Sequence, residues 1–247
     1  MKSEWNKLDN AAKIFPAAQS KKDTQVFRFC CELYKTVNKD LLQKATEDTL
    51  EEFDIFKSIL RRGLFWYYLE ESDIKPIVRE EYKIPCSLIY QRNNHKLLFE
   101  VTYYRNRINL EVFHVLTDGT GAMNFLKTLV SNYLALAENI EDIGVDYDAS
   151  STQKSDDSFS KYYSGKISSK QENNPVAYKI VGRKYPDDKL KVISGMVDVK
   201  KVLEESHKYN ATLTAFLSAV LVKSIIDEMP VRSKGKKPIT ILIPVNL

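Results

Sequence analysis

The chain has 247 residues, of which 43% are hydrophobic and 28% are charged, so disorder of the whole chain is excluded and a globular protein with a substantial core is expected. Its 37 basic and 33 acidic residues give a net charge of +4, and this near balance disfavours nucleic acid as a partner. The basic run at residues 232–237 is typical of a solvated turn.

The N-terminus and the cysteines favour a cytoplasmic protein. Residues 1–20 carry charges and a proline where a signal peptide needs an unbroken apolar run, and the sequence predicts no membrane span. Cys30, Cys31 and Cys86 are odd in number and lack CxxC spacing. Neither a disulfide framework nor a zinc site is therefore predicted.

The first third of the chain is predicted to contain three strands and a helix. Residues 26–34 favour a strand, and residues 39–52 favour a helix with Asn38 as its N-cap. Short strands are expected around residues 53–60 and 64–69. The last of these includes an aromatic run at residues 65–68, which is more typical of a sheet core than of a substrate wall.

A β-hairpin is predicted over residues 97–114, because apolar residues alternate along both arms around a turn at Asn106. The second arm ends at His114. Strand side chains alternate between faces, so this imidazole is expected on the face of Leu110 and Val112. The sequence thus predicts a histidine at a strand end that faces an apolar interior.

A helix is predicted from Gly121 to about Ala137, directly after this histidine. Gly119 and Gly121 loosen the turn before it. The unpaired N–H groups and the positive dipole end of the helix would lie close to His114 and Asp118, where they favour negative charge. This arrangement suits an active site.

Polar residues dominate from Glu138 to Asn174, and residues 146–175 are predicted to be a flexible linker. We therefore expect a first lobe over residues 1–145 and the start of a second region over residues 176–247. The elements expected in the second region are a hairpin-like pair at 177–182 and 189–196, a helix capped by Asp198 that ends near Asn210, a helix capped by Thr212 or Thr214, and a β-like run at 239–245.

This mixed order of helices and strands predicts an α/β or α+β sandwich with a mixed sheet and flanking helices.

His114 has the chemistry of a general base, because an imidazole withdrawn from water can take a proton from a hydroxyl, amine or thiol that attacks a carbonyl. Asp118 could orient the imidazole, or turn away and pair with an arginine that holds the turn in shape; we favour the second role. Gly119 permits a positive φ or the close approach of a ligand. In the alternative interpretation, His114 is a satisfied core histidine and Asp118 only caps the next helix.

His114, Asp118 and Gly119 match the HxxxDG motif of the CoA-dependent acyltransferase superfamily, which includes chloramphenicol acetyltransferase, plant-type HxxxD acyltransferases and condensation domains of peptide synthetases. Most of the chain resembles bacterial alcohol acetyltransferase-like proteins of that superfamily. The runs that carry this resemblance are residues 8–12 (LDNAA), 63–69 (GLFWYYL), 114–129 and 244–247 (PVNL).

The resemblance implies that His114 is the general base and that Asp118 has a structural role through an arginine. By analogy with chloramphenicol acetyltransferase, Arg28 is the candidate partner. The resemblance also implies an acyl-CoA donor, expected to be acetyl-CoA, a small-molecule alcohol or amine acceptor, and no metal. Condensation domains usually carry a second histidine just before the catalytic one, where this chain has Phe113.

Members of the superfamily are considerably longer, with two similar lobes and the reaction centre in a tunnel between them. Their C-terminal lobe carries a DFGWG-type motif that this sequence lacks. We therefore expect the chain to be an N-terminal portion with an incomplete second lobe, nearly inactive by itself.

Three alternatives stay open. The chain could be a non-catalytic module of the same fold that binds an acyl group or a carrier, or a condensation-domain-like amide or ester synthase. A metal site on His114 and Asp118 is disfavoured, because His95 and His207 lie in other predicted elements and no third ligand is suitably spaced. The sequence leaves open the acceptor, the acyl length, whether the donor is CoA or a carrier protein, and whether a homo-oligomer forms.

Overall fold

The computed structural model describes residues 8, 12–64, 66–91, 95–140, 175–183, 185–186 and 190–243, together with the backbone of residues 5–7. The chain divides into two compact units, Met1–Tyr163 and Ser164–Leu247, each of which is described by itself. The expected linker at 146–175 lies, except for its last residue, outside the described residues.

The first unit contains most of the regular structure. In chain order its elements are β1 (Trp5–Lys7), α1 (Ile14–Ala18), β2 (Val26–Glu32), α2 (Lys39–Glu52), a 3₁₀ helix (Asp54–Lys57), β3 (Ser58–Arg62), β4 (Tyr67–Glu71), β5 (Arg79–Glu80), β6 (Phe99–Tyr104), β7 (Arg107–Phe113) and α3 (Gly119–Glu138).

Two sheets organise these strands. The larger sheet has the order β2-β7-β6-β5, in which the β2–β7 and β7–β6 pairs are antiparallel and β5 is parallel to β6. The smaller sheet has the order β1-β4-β3 and is antiparallel. The expected α/β architecture with a mixed sheet is therefore confirmed, and the β6–β7 hairpin turns at Arg105 and Asn106 as the sequence predicts.

The predicted strands at 53–60 and 64–69 need correction. A 3₁₀ helix occupies Asp54–Lys57, and the strands of this hairpin begin later, at Ser58 and Tyr67. Phe56 is buried, and it lies on this 3₁₀ helix rather than on a strand. Trp66 of the aromatic run is 59% exposed, so this part of the run does not lie in a sheet core.

Helix α2 has the bounds that the sequence predicts, because its start is set locally. The side chain of Asn38 accepts hydrogen bonds from the backbone N–H groups of Asp40 and Leu41, as a good N-cap does. Thr46 and Thr49 are buried on this helix, and their hydroxyls donate to the carbonyls one turn earlier at 2.7 Å. The buried polar groups are thereby satisfied.

The core lies between one face of the larger sheet and helices α2 and α3. Phe125 of α3 stacks on Phe56 with ring centroids 4.1 Å apart, and it contacts Phe99 of β6 edge-on at 5.3 Å. Phe99 pairs with Val112 of β7, so the core face of the sheet includes Val112. The face on which His114 was expected is therefore the face covered by the helices.

The second unit contains α4 (Val199–Lys208), α5 (Leu213–Glu228) and a 3₁₀ helix (Val231–Ser233). The caps Asp198 and Thr212 are confirmed, since their side chains accept from the N–H groups of Lys201 and Ala215. Thr214 lies inside α5 and does not cap it. Among the described residues, no single helix is long and apolar enough to cross a membrane, although α4 and α5, bent by 81°, meet the requirement together.

The hairpin expected at 177–182 and 189–196 is wrong for the described residues, which form no strand there. Its alternating apolar pattern has no sheet to pack on among the described residues of this unit, and Val192 and Ile193 are 61% and 85% exposed. The backbone N–H of Tyr178 instead donates to the carbonyl of Pro238 at 2.8 Å. Residues 239–243 of the last β-like run are also not strand, and the rest of that run lies outside the described residues.

Candidate active site around His114

His114 directly follows the last residue of β7. Its backbone N–H donates to the carbonyl of Gln25 at 2.9 Å, which adds one hydrogen bond beyond the Val26–Phe113 pair. Gln25 has φ 55°, in the left-handed region that few residues other than glycine adopt. The left-handed backbone of Gln25, just before β2, therefore accompanies a carbonyl position that accepts the hydrogen bond of His114.

The imidazole of His114 is half-buried between two phenylalanines. Phe15 of α1 stacks on it with a centroid distance of 4.3 Å and an interplanar angle of 10°, and Phe27 of β2 contacts it at 4.9 Å and 59°. Phe27 pairs with Val112, so the ring lies on the core face as predicted. No described residue hydrogen-bonds to either ring nitrogen, so His114 is not a core histidine satisfied by these residues.

Two buried residues connect His114 to the next helix. Val115 and Leu116 are 3% and 5% exposed, and the N–H of Leu116 donates to the carbonyl of Phe113 at 2.9 Å. The turn is thus anchored in the core on both sides of the histidine. Helix α3 begins two residues earlier than predicted, at Gly119.

Asp118 is the N-cap of α3. Its Oδ1 accepts a hydrogen bond from the N–H of Gly121 at 2.8 Å, and its carbonyl accepts from Ala122 at 3.1 Å. The expected Asp118–Arg28 pair is wrong: the side chain turns toward its own helix, and Arg28 is engaged elsewhere. Asp118 has the capping role that the alternative interpretation gave it.

Two glycines at the start of α3 differ in how much room there is for a side chain. At Gly119, which has no positive φ, an added Cβ would meet only the ring of Phe29 at an ordinary 3.9 Å. At Gly121 an added Cβ would lie 2.0 Å from Oγ1 of Thr117 and 3.3 Å from its Cβ. The local packing therefore restricts a side chain at Gly121, whereas a Cβ at Gly119 would only make an ordinary contact with Phe29.

On the opposite face of the larger sheet, charged side chains form what we call the back-face cluster: Arg28, Glu81, Arg107 and Glu111. Arg28 pairs with Glu81 at 2.5 Å and with Glu111 at 2.8 Å, and Arg107 pairs with Glu81 at 2.8 Å. Arg28 lies directly opposite Glu111 in the β2–β7 register. The strand pairing, which the sequence alone does not reveal, therefore gives Arg28 its partner.

The pKa of Arg28 is affected in two directions. Burial by itself lowers it, but the hydrogen bond to Glu81 and the charge of Glu111 raise it by more, so the net shift is upward. The guanidinium thus stays charged.

The segment after β5 is held over the back-face cluster. The N–H of Cys86 donates to Oε1 of Glu111 at 2.6 Å, and Tyr90 stacks on Phe113 with an interplanar angle of 3°. Burial raises the pKa of the Cys86 thiol, and the charge of Glu111 raises it further. A raised pKa disfavours the thiolate, which is the nucleophilic form of a cysteine.

Phe15 is the site residue that sequence reasoning missed. It lies on the five-residue helix α1, whose sequence IFPAA contains a proline. Pro16 is the third residue of this helix, within the first turn, where a missing N–H costs nothing. An apolar pair just before such a proline was the available signal. In the described part of the chain, no three His, Cys, Asp or Glu side chains gather into a candidate metal site.

Comparison with known proteins identifies the fold and no more. No protein-family model matches the sequence, and no curated protein matches it. Solved structures do match. A mutant of the starter condensation domain of the rhizomide synthetase RzmA has a TM-score of 0.50 and 14% identity, over 65% of this chain and 44% of that chain.

Two further structures of that domain are also similar. A mutant in a "product-released" conformation has a TM-score of 0.50 and 11% identity, over 64% of this chain and 42% of that chain. A mutant in complex with C8-CoA has a TM-score of 0.48 and 12% identity, over 58% and 38%.

The chain has part of a condensation-domain fold. It spans about two fifths of the length of the condensation domains it matches. At this identity the likeness concerns the arrangement of helices and strands, and the role of each residue has to be argued from this chain.

Proposed function

We propose that this chain carries the histidine of an acyltransferase site and that His114 is the general base. The observation that supports this most is the placement of His114. The residue follows a strand end in a condensation-domain-like fold, and its imidazole is half-buried between two aromatic rings. No described residue forms a hydrogen bond with its ring nitrogens. An imidazole so placed is available to exchange a proton with a substrate.

In the proposed reaction, the acceptor is a small-molecule alcohol or amine and the donor is an acyl-CoA thioester. His114 takes the proton of the acceptor as its oxygen or nitrogen attacks the thioester carbonyl. The C–S bond then breaks, and the CoA thiolate receives the proton from the imidazolium, so the base is regenerated. Proton transfer of this kind contributes ~10²–10⁴ in rate, and orientation of both substrates supplies much of the rest.

The donor assignment is supported by the motif formed by His114, Asp118 and Gly119, which resembles that of CoA-dependent acyltransferases. We propose acetyl-CoA as the acyl donor and no metal. Phe113 stands where condensation domains usually carry a second histidine, which favours an alcohol acetyltransferase-like activity over amide or ester synthesis on a carrier.

The test is acyl-CoA turnover by the full-length protein with panels of alcohols and amines, in the wild type and in His114→Ala. His207→Ala is the matched control, because His207 is an exposed histidine of the second unit. We expect His114→Ala to lose about a hundredfold or more of kcat and His207→Ala to lose nothing. Undiminished turnover in His114→Ala would remove His114 from the mechanism. If calorimetry detects acyl-CoA binding and no acceptor supports turnover, the chain is a binding module instead.

A further inference from the structure

Phe15 makes the most specific contact to the candidate base. Its ring lies nearly parallel to the imidazole of His114, with an interplanar angle of 10° and a centroid distance of 4.3 Å. Phe27, the other aromatic neighbour, meets the same imidazole at 59°. The parallel ring of Phe15 thus lies against one face of the imidazole, whereas Phe27 contacts it at a tilt.

The position of Phe15 is fixed by the residues around it. The carbonyl of Phe15 accepts from the N–H of Gln19 at 3.0 Å, which closes helix α1. The side-chain amide of Gln19 then donates to the carbonyls of Thr24 and Tyr90, both at 3.3 Å. Helix α1 is thereby tied to the residue before Gln25 and to the segment that stacks on Phe113.

The residues that hold helix α1 are next to those that contact the backbone of His114. Gln25 accepts the backbone hydrogen bond of His114, and Phe113 is the residue just before it. The ring of Phe15 and the backbone of His114 are therefore held by the same set of contacts, so their relative position is constrained from both ends. A parallel ring against one face of the imidazole disfavours rotation about its Cβ–Cγ bond, and no described residue hydrogen-bonds to its nitrogens.

We propose that Phe15 is a positioning residue for His114: it fixes the plane of the imidazole and thereby the direction in which the ring nitrogen meets the acceptor. The contact itself is independent of any activity, and only its kinetic consequence rests on the proposed function. A misdirected base loses rate even when substrates still bind, because catalysis depends on near-attack geometry.

The first part of the test needs no substrate. The chain has three histidines, so the imidazole proton resonances of His114 can be assigned by nuclear magnetic resonance with His95→Gln and His207→Gln variants. A stacked phenyl ring shifts these resonances upfield. We expect Phe15→Leu to remove this shift, Phe15→Tyr to keep it, and Ile14→Ala to keep it, since Ile14 is a neighbour on α1 that is 65% exposed. Unchanged resonances in Phe15→Leu would overturn the proposal.

The second part measures turnover by the same full-length variants. Phe15→Leu is expected to lower kcat by about tenfold to a hundredfold with a smaller change in KM, and Phe15→Tyr is expected to restore most of kcat. Ile14→Ala controls for loosening of α1. If Phe15→Leu loses the ring shift and keeps kcat, Phe15 is a packing residue only and the positioning role is overturned. If wild-type turnover does not require His114, the proposed function fails, while the resonance experiment still decides whether Phe15 fixes the ring.

Discussion

Arg28 and Glu111 face each other across β2 and β7, and two nitrogens of the guanidinium lie 2.8 Å and 2.9 Å from the same carboxylate oxygen. The side chain of Glu111 is 1% exposed and that of Arg28 is 11% exposed. Buried pairs of this kind are costly to break, because removing one partner leaves an uncompensated charge out of water. Glu111 lies on β7, three residues before His114.

Glu111→Gln is therefore expected to destabilise the protein by about 3 kcal/mol. The amide oxygen still accepts from Cys86, but the charge that balances Arg28 is halved, since only Glu81 remains. Urea unfolding followed by circular dichroism measures this loss. Glu138→Gln is the control, because its partner Lys35 is 77% exposed, and a loss below about 1 kcal/mol is expected there. Equal losses in the two variants would contradict the structural importance of the back-face cluster.

The capping role of Asp118 can be separated from a role as an ion-pair partner. A cap needs an acceptor oxygen and not a charge, so Asp118→Asn is expected to keep nearly all stability and Asp118→Ala to lose about 1 kcal/mol. Thermal or urea unfolding of the two variants gives the comparison. If Asp118→Asn and Asp118→Ala lose the same stability, the charge of the carboxylate matters, and an arginine partner of Asp118 has to be sought.

Replacing each of the two glycines at the start of α3 by alanine is expected to affect stability differently. Gly121→Ala is expected to cost about 1–3 kcal/mol, because the new methyl group would collide with the side chain of Thr117. Gly119→Ala is expected to change stability by less than about 1 kcal/mol and to lower turnover if the acceptor or donor passes over this position. Unfolding and kinetic assays on both variants test the two claims separately.

A rescue experiment identifies the collision partner. Adding Thr117→Ala to Gly121→Ala removes the oxygen that lies closest to the new methyl group. The double variant should recover part of the lost stability, and a double-mutant cycle measures that coupling. Strictly additive losses would show that Thr117 is not the cause.

The raised pKa of the Cys86 thiol predicts a fall in stability at alkaline pH. In the unfolded chain this thiol deprotonates near its ordinary value of 9.0, whereas the folded protein holds the proton to higher pH. The stabilising contribution is thus complete below about pH 9 and is lost as the pH rises toward the folded-state pKa.

The free energy of unfolding measured at about pH 8 and about pH 10 should therefore fall more in the wild type than in Cys86→Ala. The difference between the two proteins cancels the titration of lysines and tyrosines. An equal or smaller fall in the wild type would contradict the raised pKa.

Sequence reasoning succeeded where the signal is local. Asn38 and Asp198 cap the helices that they were predicted to cap, because a cap contacts residues two or three positions away. The strand that leads to His114, and the side on which its imidazole lies, could be predicted from the alternation of apolar residues along a single hairpin. These features depend on short-range periodicity, which a single sequence displays.

The same reasoning failed where a side chain meets a distant strand. Arg28 was matched to Asp118 by analogy, but the β2–β7 register places it opposite Glu111. Phe15 was overlooked because its partner, His114, is about a hundred residues away in the sequence. The helix that carries Phe15 is also only five residues long, so its periodicity gives little signal. Register and the docking of short helices are set by tertiary packing, which composition and spacing do not encode.

Phe113 and His114 are consecutive residues with aromatic partners on opposite sides of the larger sheet, Tyr90 for the first and Phe15 for the second. Substitutions in residues 84–90 can thus affect the backbone of His114 from the side of the sheet opposite Phe15. Under the proposed function, substitutions in that segment are expected to change the rate of proton transfer at His114.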